Sequence, residues 1–347
     1  MVSPVPEIAA PRRRFWRRRR ILGGAATAIV VGAVFLFVLP RIADYRDVWD
    51  VLEDLGWRDV LVLVAVTVLN LATFAPPWMV ALPGLRFRQA FMLSQASTAI
   101  SMVSPAGAAV GMAGSYTLLR SWGFSASAVA LAVALTGVWN QLANLTFPIA
   151  ALALLTGVDQ DHPALRTAAL AGLVVLMLVL AAFVLALSSA RRARRIGGLV
   201  ARLTTHVKGW FRRDPVTWGG EGLARFRASA LGLLRRRWHV LTAATLVGHL
   251  TVFLLLLVCL RAVGISASEI SWIEAFAAWS LVRILGALPI TPGGVGIVEV
   301  GLSGALVAFG ASNADAVAAT LLYRALTVLP TLGLGMLAAA TWRRHRP

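Results

Sequence analysis

Cysteine is almost absent: Cys259 stands alone among 347 residues. An intrachain disulfide is therefore excluded, and a cysteine metal site has no ligands to draw on. Charge is scarce, at 14%, and acidic charge scarcest, with 15 carboxylates against 33 basic side chains and a net charge of +18. In a soluble chain that imbalance would suggest nucleic acid, but no recognition module accompanies it. Phosphate-binding loops, paired acidic dyads, nucleophile elbows and metal-ligand spacings are missing too. Energy coupling by ATP has no support, and neither a cofactor nor a metal is expected. What remains is apolar: 59% of the residues are hydrophobic, in several stretches of about 20, each long enough to cross a bilayer. That composition lies beyond a soluble domain. It predicts an all-α, polytopic membrane protein, in which excess basic charge sets topology and meets anionic lipid.

Full spans are expected at 21–39, 60–82, 125–157, 166–188, 238–260 and 314–341, with interrupted segments at about 89–120 and 272–310. The first span follows seven arginines between Arg12 and Arg20 and is not followed by a small-residue cleavage pattern, so it reads as retained. Residues 41–59 carry six acids against three arginines, whereas 191–237 carry thirteen basic residues and two acids. The second segment belongs in the cytoplasm. Making each interrupted segment a re-entrant hairpin then places Arg86, Arg88, Arg120 and the tail arginines inside, and Asp159, Asp161 and Glu269 outside. Both termini face the cytoplasm in this scheme, in a bacterial plasma membrane. The divisions are a basic N-terminus (1–20), a first membrane repeat (21–188), a basic loop (189–237), a second repeat (238–341) and a short tail (342–347). The 33 residues of 125–157 exceed one perpendicular helix. A kink at Pro148, a tilt, or two short helices meeting near Asn140–Asn144 would each absorb the excess.

The interruptions carry the functional signal. Thr291-Pro292-Gly293-Gly294-Val295-Gly296 breaks one apolar segment, and Ser104-Pro105-Ala106-Gly107 breaks another 187 residues earlier. The register holds: Pro105 falls on Pro292, Gly107 on Gly294, Gly123 on Gly310 and Ser125 on Ser312. Duplicated broken helices mark transporters built from internal repeats, with the binding site at the breaks. The first hairpin enters from the cytoplasm and the second from outside, so the repeats are inverted. Non-helical backbone at this depth survives only beside protein or a water-filled cavity. Pro292 removes a donor, and Gly293, Gly294 and Gly296 permit conformations closed to other residues. The half-helix that follows offers amide groups and a positive dipole end to an anion, with Thr291 beside it.

Three ionisable residues accompany the second break: Arg283, Glu299 and Arg324. Charge at this depth costs roughly 2.5–3.5 kcal/mol and is rare unless it faces a cavity or a partner. Glu299 can cap its half-helix or neutralise an arginine. Two arginines beside one carboxylate leave positive charge for a headgroup, and arginine binds phosphate bidentately. At the same offset the first repeat has Met112 for Glu299 and Gly137 for Arg324, and offers Gln95, Asn140, Gln141 and Asn144 instead. These either line a pathway or bond neighbouring helices. His249 has no second histidine or acid at ligand spacing and reads as a packing residue. Residues 45–57 alternate acids with Val48, Trp49, Val51, Leu52 and Leu55 as an amphipathic helix on the outer surface would.

The run Leu288-Pro289-Ile290-Thr291-Pro292-Gly293-Gly294-Val295-Gly296-Ile297-Val298-Glu299, with Tyr323-Arg324 after it, resembles the signature of the lysylphosphatidylglycerol synthase transmembrane family, the flippase-like membrane region of multiple peptide resistance factors. The resemblance in span pattern covers about 20–341. It implies two related halves with re-entrant segments that move or hold lipids with charged or phosphorylated headgroups. The family pattern falls on Pro292, Gly293, Gly294, Gly296, Glu299 and Arg324. The first repeat departs from it, with Gly107-Ala108 and Trp139-Asn140 where many members carry Gly-Glu and Glu-Arg pairs. Few residues follow the last span, so the soluble aminoacyl-transferring domain of full synthases is not expected. The function expected is translocation of an anionic phospholipid or polyprenyl-phosphate lipid. The alternative is a lipid-modifying enzyme or its non-catalytic subunit, with a homo-oligomer or a separate partner enzyme both open. On the sequence alone, Arg324→Ala is expected to stop lipid movement while leaving the protein folded.

Overall fold

The computed structural model describes residues 45–104, 107–158, 163–189, 191, 198, 205, 220–287 and 291–344. Its regular elements are helices: α1 Tyr45–Glu53, α2 Trp57–Thr73, α3 Pro76–Ala81, α4 Phe87–Val103, α5 Gly107–Ser121, α6 Ala126–Val158, α7 Pro163–Ser188, α8 Gly220–Ala262, α9 Trp272–Ala287, a 3-10 turn Pro292–Gly294, α10 Ile297–Ala308 and α11 Asn313–Arg344. Four stretches are long and apolar enough to cross a membrane: Trp57–Ala81, Ala126–Gly157, Arg225–Ala262 and Asn313–Ala338. They coincide with four of the expected full spans. The span expected at 166–188 lies within α7, whose apolar stretch is Leu170–Leu185. The one expected at 21–39 falls outside the described residues, as do Pro105 and much of the basic loop. Within that loop, residues from Gly220 onward are already helical and run without interruption into the apolar part of α8.

Much of the outward-facing surface of these helices is apolar. Leu61, Val64 and Val68 on α2, and Leu170, Val174 and Leu178 on α7, are exposed at helical spacing. A band of that extent marks contact with lipid. Trp49, Trp57, Trp238 and Trp272 are each more than half exposed; Trp57 and Trp272 begin α2 and α9, and Trp238 stands where the apolar part of α8 begins, as interfacial anchors do. The short acidic helix differs from its expected placement. Val48 is only 3% exposed and joins the main core, with Val51 and Leu52 packed against it, and α1 lies on α11. Its apolar face is thus used against protein, leaving Trp49, Asp50 and Glu53 outward.

The duplication seen in the sequence is a duplication of structure. Helix, break, helix and long helix occur twice, as α4, α5, α6 and as α9, α10, α11, with starts displaced by 185, 190 and 187 residues. Gly123 and Gly310 end α5 and α10 with φ of 86° and 117°, where a Cβ would be strained. Two residues on, the hydroxyl of Ser125 accepts from the Ala128 amide and that of Ser312 from the Asp315 amide, capping the long helices that follow. Packing is exchanged between the units: α4 lies along α11, and α9 along α6. The breaks also meet, since a Cβ on Gly293 would lie 3.2 Å from the Met102 carbonyl at the end of α4. The 33 residues of α6 form one helix with Pro148 inside it, about 50 Å long against a hydrocarbon core of about 30 Å. Two half-helices meeting near Asn140–Asn144 are not what forms.

Within the first unit, small residues set the spacing of α4 and α5. A Cβ on Gly111 would fall 2.0 Å from Ser101 Oγ and 2.8 Å from the Ser97 carbonyl. The side chain of Gly111→Leu therefore has no room unless the helices part, an overpacking cost of about 1–3 kcal/mol or more. The thermal midpoint in detergent is expected to fall clearly; an unchanged melt would contradict this packing.

Candidate functional site

The helix break builds the first half of the site. Gly293, Gly294 and Gly296 have φ of 63°, 67° and 88°, values that cost an L-residue roughly 1–2 kcal/mol each. Through them the described part of the connection, from Thr291 onward, turns into α10, held by a bond from the Gly294 amide to the Thr291 carbonyl. Thr291 is buried and its hydroxyl has no partner. Gly294 also sits where a Cβ would be 3.2 Å from Gly286 Cα and 3.0 Å from Val298, so the two limbs of the hairpin touch at glycines.

Glu299 lies three residues into the new helix and closes its end. Its Oε2 accepts from the Gly296 amide at 2.6 Å, while Oε1 accepts from Arg324 Nε at 2.7 Å. Arg324 also donates to the Gly293 carbonyl at 3.2 Å. One carboxylate therefore caps the half-helix, and it neutralises an arginine on α11. With side-chain exposures of 3% and 13%, the pair is largely removed from solvent. The amide end expected to seat a ligand's anion is occupied by the chain's own.

Arg283 on α9 is arranged differently. Its Nη2 donates to Asn144 Oδ1 and to His249 Nδ1, both at 2.8 Å, and its guanidinium carbon lies 4.8 Å from the Trp279 ring centroid. Because arginine only donates, His249 Nδ1 must be the bare nitrogen, so the ring is neutral with its proton on Nε2. That proton is donated to Asn140 Oδ1 across 3.1 Å. Asn144 Nδ2 reaches Gln141 Oε1 at 3.4 Å, and Phe74 and Phe147 face the imidazole edge-on. Arg283 thus has neutral partners only; among the described residues no carboxylate pairs with it, and its Nε is buried without an acceptor.

Both arginines open on one cavity of about 260 Å³, lined by Asn144, Trp279, Val282, Arg283, Gly286, Val298, Leu302, Tyr323 and Arg324. Among the lining residues, Arg283 Nε is a fully buried donor without a hydrogen-bond partner. Such a wall calls for an acceptor, and the unbalanced guanidinium calls for a negatively charged one. Among the described residues, no three His, Cys, Asp or Glu side chains are grouped to hold a metal.

The residues expected at the site are spread over three positions. Arg283 and Arg324 line the cavity; Glu299 and Gly293 stand one bond behind Arg324, and Gly296 stands behind Glu299. Asn140 reaches Arg283 only through His249, and Gln141 is an exposed residue behind Asn144. Gly294 and Thr291 shape the turn, Pro292 begins it and Gly107 begins α5. His249 is the main addition, a supporting partner of the unpaired arginine rather than simple packing. Gln95 bonds the Leu71 carbonyl, joining helices. In the first unit, Met112 and Gly137 are neighbours as Glu299 and Arg324 are: a Cβ on Gly137 would lie 3.8 Å from Met112 Sδ. An apolar contact replaces the ion pair, which is why the charged wall is one-sided.

Broken helices, lipid-facing bands and a cavity lined by two arginines define a polytopic membrane protein with a candidate site between its helices. The chain belongs to the lysylphosphatidylglycerol synthase TM region family, whose model matches residues 25–335. A comparison with curated proteins found no match.

Proposed function

We propose that this chain is a membrane lipid translocase of the flippase type, with the α4–α5 and α9–α10 hairpins dipping into the bilayer from opposite sides. Helices of 12–17 residues reach about 18–26 Å, short of a full crossing, which suits re-entry. The headgroup of an anionic phospholipid or a polyprenyl-phosphate lipid enters the cavity between α6, α9, α10 and α11 and is presented to one leaflet and then the other as the repeats rock. The same scheme keeps both termini in the cytoplasm of a bacterial plasma membrane. The observation that carries this reading is Arg283: a cation without a counter-charge among the described residues, on the wall of a cavity it shares with Arg324. The family supports a lipid-related role.

The test is reconstitution of the purified chain into vesicles holding a fluorescent anionic phospholipid in both leaflets, followed by a membrane-impermeant quencher. Active protein makes the inner-leaflet pool accessible. Quenching that stops at the outer-leaflet fraction, as in protein-free vesicles, would remove translocation from consideration.

A further inference from the structure

One nitrogen of Arg283 holds two acceptors at once. Nη2 donates to Asn144 Oδ1 and to His249 Nδ1, each at 2.8 Å, and only Asn144 and Arg283 line the cavity. His249 therefore stands behind the cationic wall with its free lone pair spent on that wall. The imidazole cannot accept a proton while Arg283 donates to it, because a protonated ring offers two donors and no acceptor. Beside an uncompensated guanidinium the extra charge would also be repelled.

An anion in the cavity changes both conditions. It draws Arg283 Nη2 toward itself, freeing His249 Nδ1 and Asn144 Oδ1 together. It also cancels the charge that opposed protonation. A proton arriving on Nδ1 then no longer faces the Arg283 donor, while Nε2–H keeps its bond to Asn140 Oδ1. We propose that His249 is a proton-binding site coupled to the anion site, so that a headgroup anion and one proton are taken up together. This rests on the anionic site proposed above and adds a co-bound proton to it.

No other titratable group competes for that role. From the elements packed on α8, α6 and α3 present no charged side chain, and α2 has only Arg58 and Asp59, at its start. From α9 comes Arg283, with Glu274 in its first turn; from α11 come Tyr323 and Arg324, with Asp315 in its first turn and Arg343 and Arg344 at its end; on α8 itself the nearest titratable groups are His239 and Cys259, each ten residues away. Glu299 on α10 is committed to Arg324 and the Gly296 amide. The linkage is reciprocal: if the anion promotes protonation, protons promote anion binding by the same factor. Its sign is fixed, with affinity rising as pH falls through the range in which His249 is neutral when free and protonated when occupied.

The experiment is calorimetric titration of the detergent-solubilised chain with dihexanoyl phosphatidylglycerol, a phosphodiester of constant charge near neutral pH, in two buffers of different ionisation enthalpy. Wild type is expected to take up a fraction of a proton per lipid bound that grows as the pH is lowered from about 7 to about 5, and its Kd to fall over the same range, by at most about tenfold per unit of pH. His249→Gln, whose amide oxygen can still accept from Arg283, is expected to bind with the same heat in both buffers and a flat pH profile. Lipid binding by wild type with no buffer-dependent heat would overturn the proton site and leave the anion site standing. The same proton uptake in His249→Gln would overturn it too. Absence of lipid binding by folded wild type would overturn the anion site and this inference with it. If His249→Gln does not fold, the wild-type proton count decides on its own.

Discussion

Arg283→Met slows lipid movement in reconstituted vesicles by about 10- to 100-fold, the equivalent of losing one charged hydrogen-bonding partner of about 1.5–3 kcal/mol. Methionine keeps the length and apolar bulk of the side chain against Trp279 and removes the one cavity cation that lacks a counter-charge. What it leaves behind is neutral: Asn144, His249 and Asn140 lose a donor but no buried carboxylate is stranded. The variant is therefore expected to fold, melt close to wild type and fail in transport. Flux like that of wild type would rule Arg283 out as the headgroup contact.

Glu299→Gln acts on the other arginine and on stability. The carboxylate serves the Gly296 amide and Arg324 at 2.6 and 2.7 Å in a site where it is 3% exposed. Glutamine keeps an acceptor for one of them, and Arg324 remains buried without a counter-charge. Breaking a buried pair on one side costs about 3–5 kcal/mol, whereas replacing both members by uncharged groups is often nearly neutral. Glu299→Gln is thus expected to lower unfolding resistance in detergent by that amount, and Glu299→Gln with Arg324→Leu to recover most of it. A single variant as stable as wild type would show that the pair does not hold the break. For the same reason Arg324→Ala strands a buried carboxylate and is no longer expected to leave the fold intact, which makes Arg283 the cleaner position for testing transport.

Much of this architecture is legible in the residues. The offset that aligns Gly123 with Gly310 and Ser125 with Ser312 marks helix ends and caps that recur in space, because positive φ and side-chain capping are local demands that sequence states directly. Glu299, three residues after Gly296, is a capping-box spacing, and its second bond to Arg324 follows from the scarcity of acids nearby. His249 was not legible as part of the site. Its partners Asn140 and Arg283 lie 109 and 34 residues away, and no spacing along one helix announces them. A fainter signal was present: Asn140 and Asn144 share a face of α6, and Trp279 and Arg283 share one of α9, each four apart. The placement of α1 was equally hidden, since an apolar stripe says that something covers it and not whether lipid or α11 does so.

The polar cavity beside the second break can be tested for its occupant without any assay of movement. Native mass spectrometry of the chain released from mild detergent should show one retained lipid with an anionic headgroup on wild type, displaced by added phosphatidylglycerol and absent from Arg283→Met. A chain that carries no lipid, or a variant that retains the same lipid to the same extent, would contradict an anion site at Arg283.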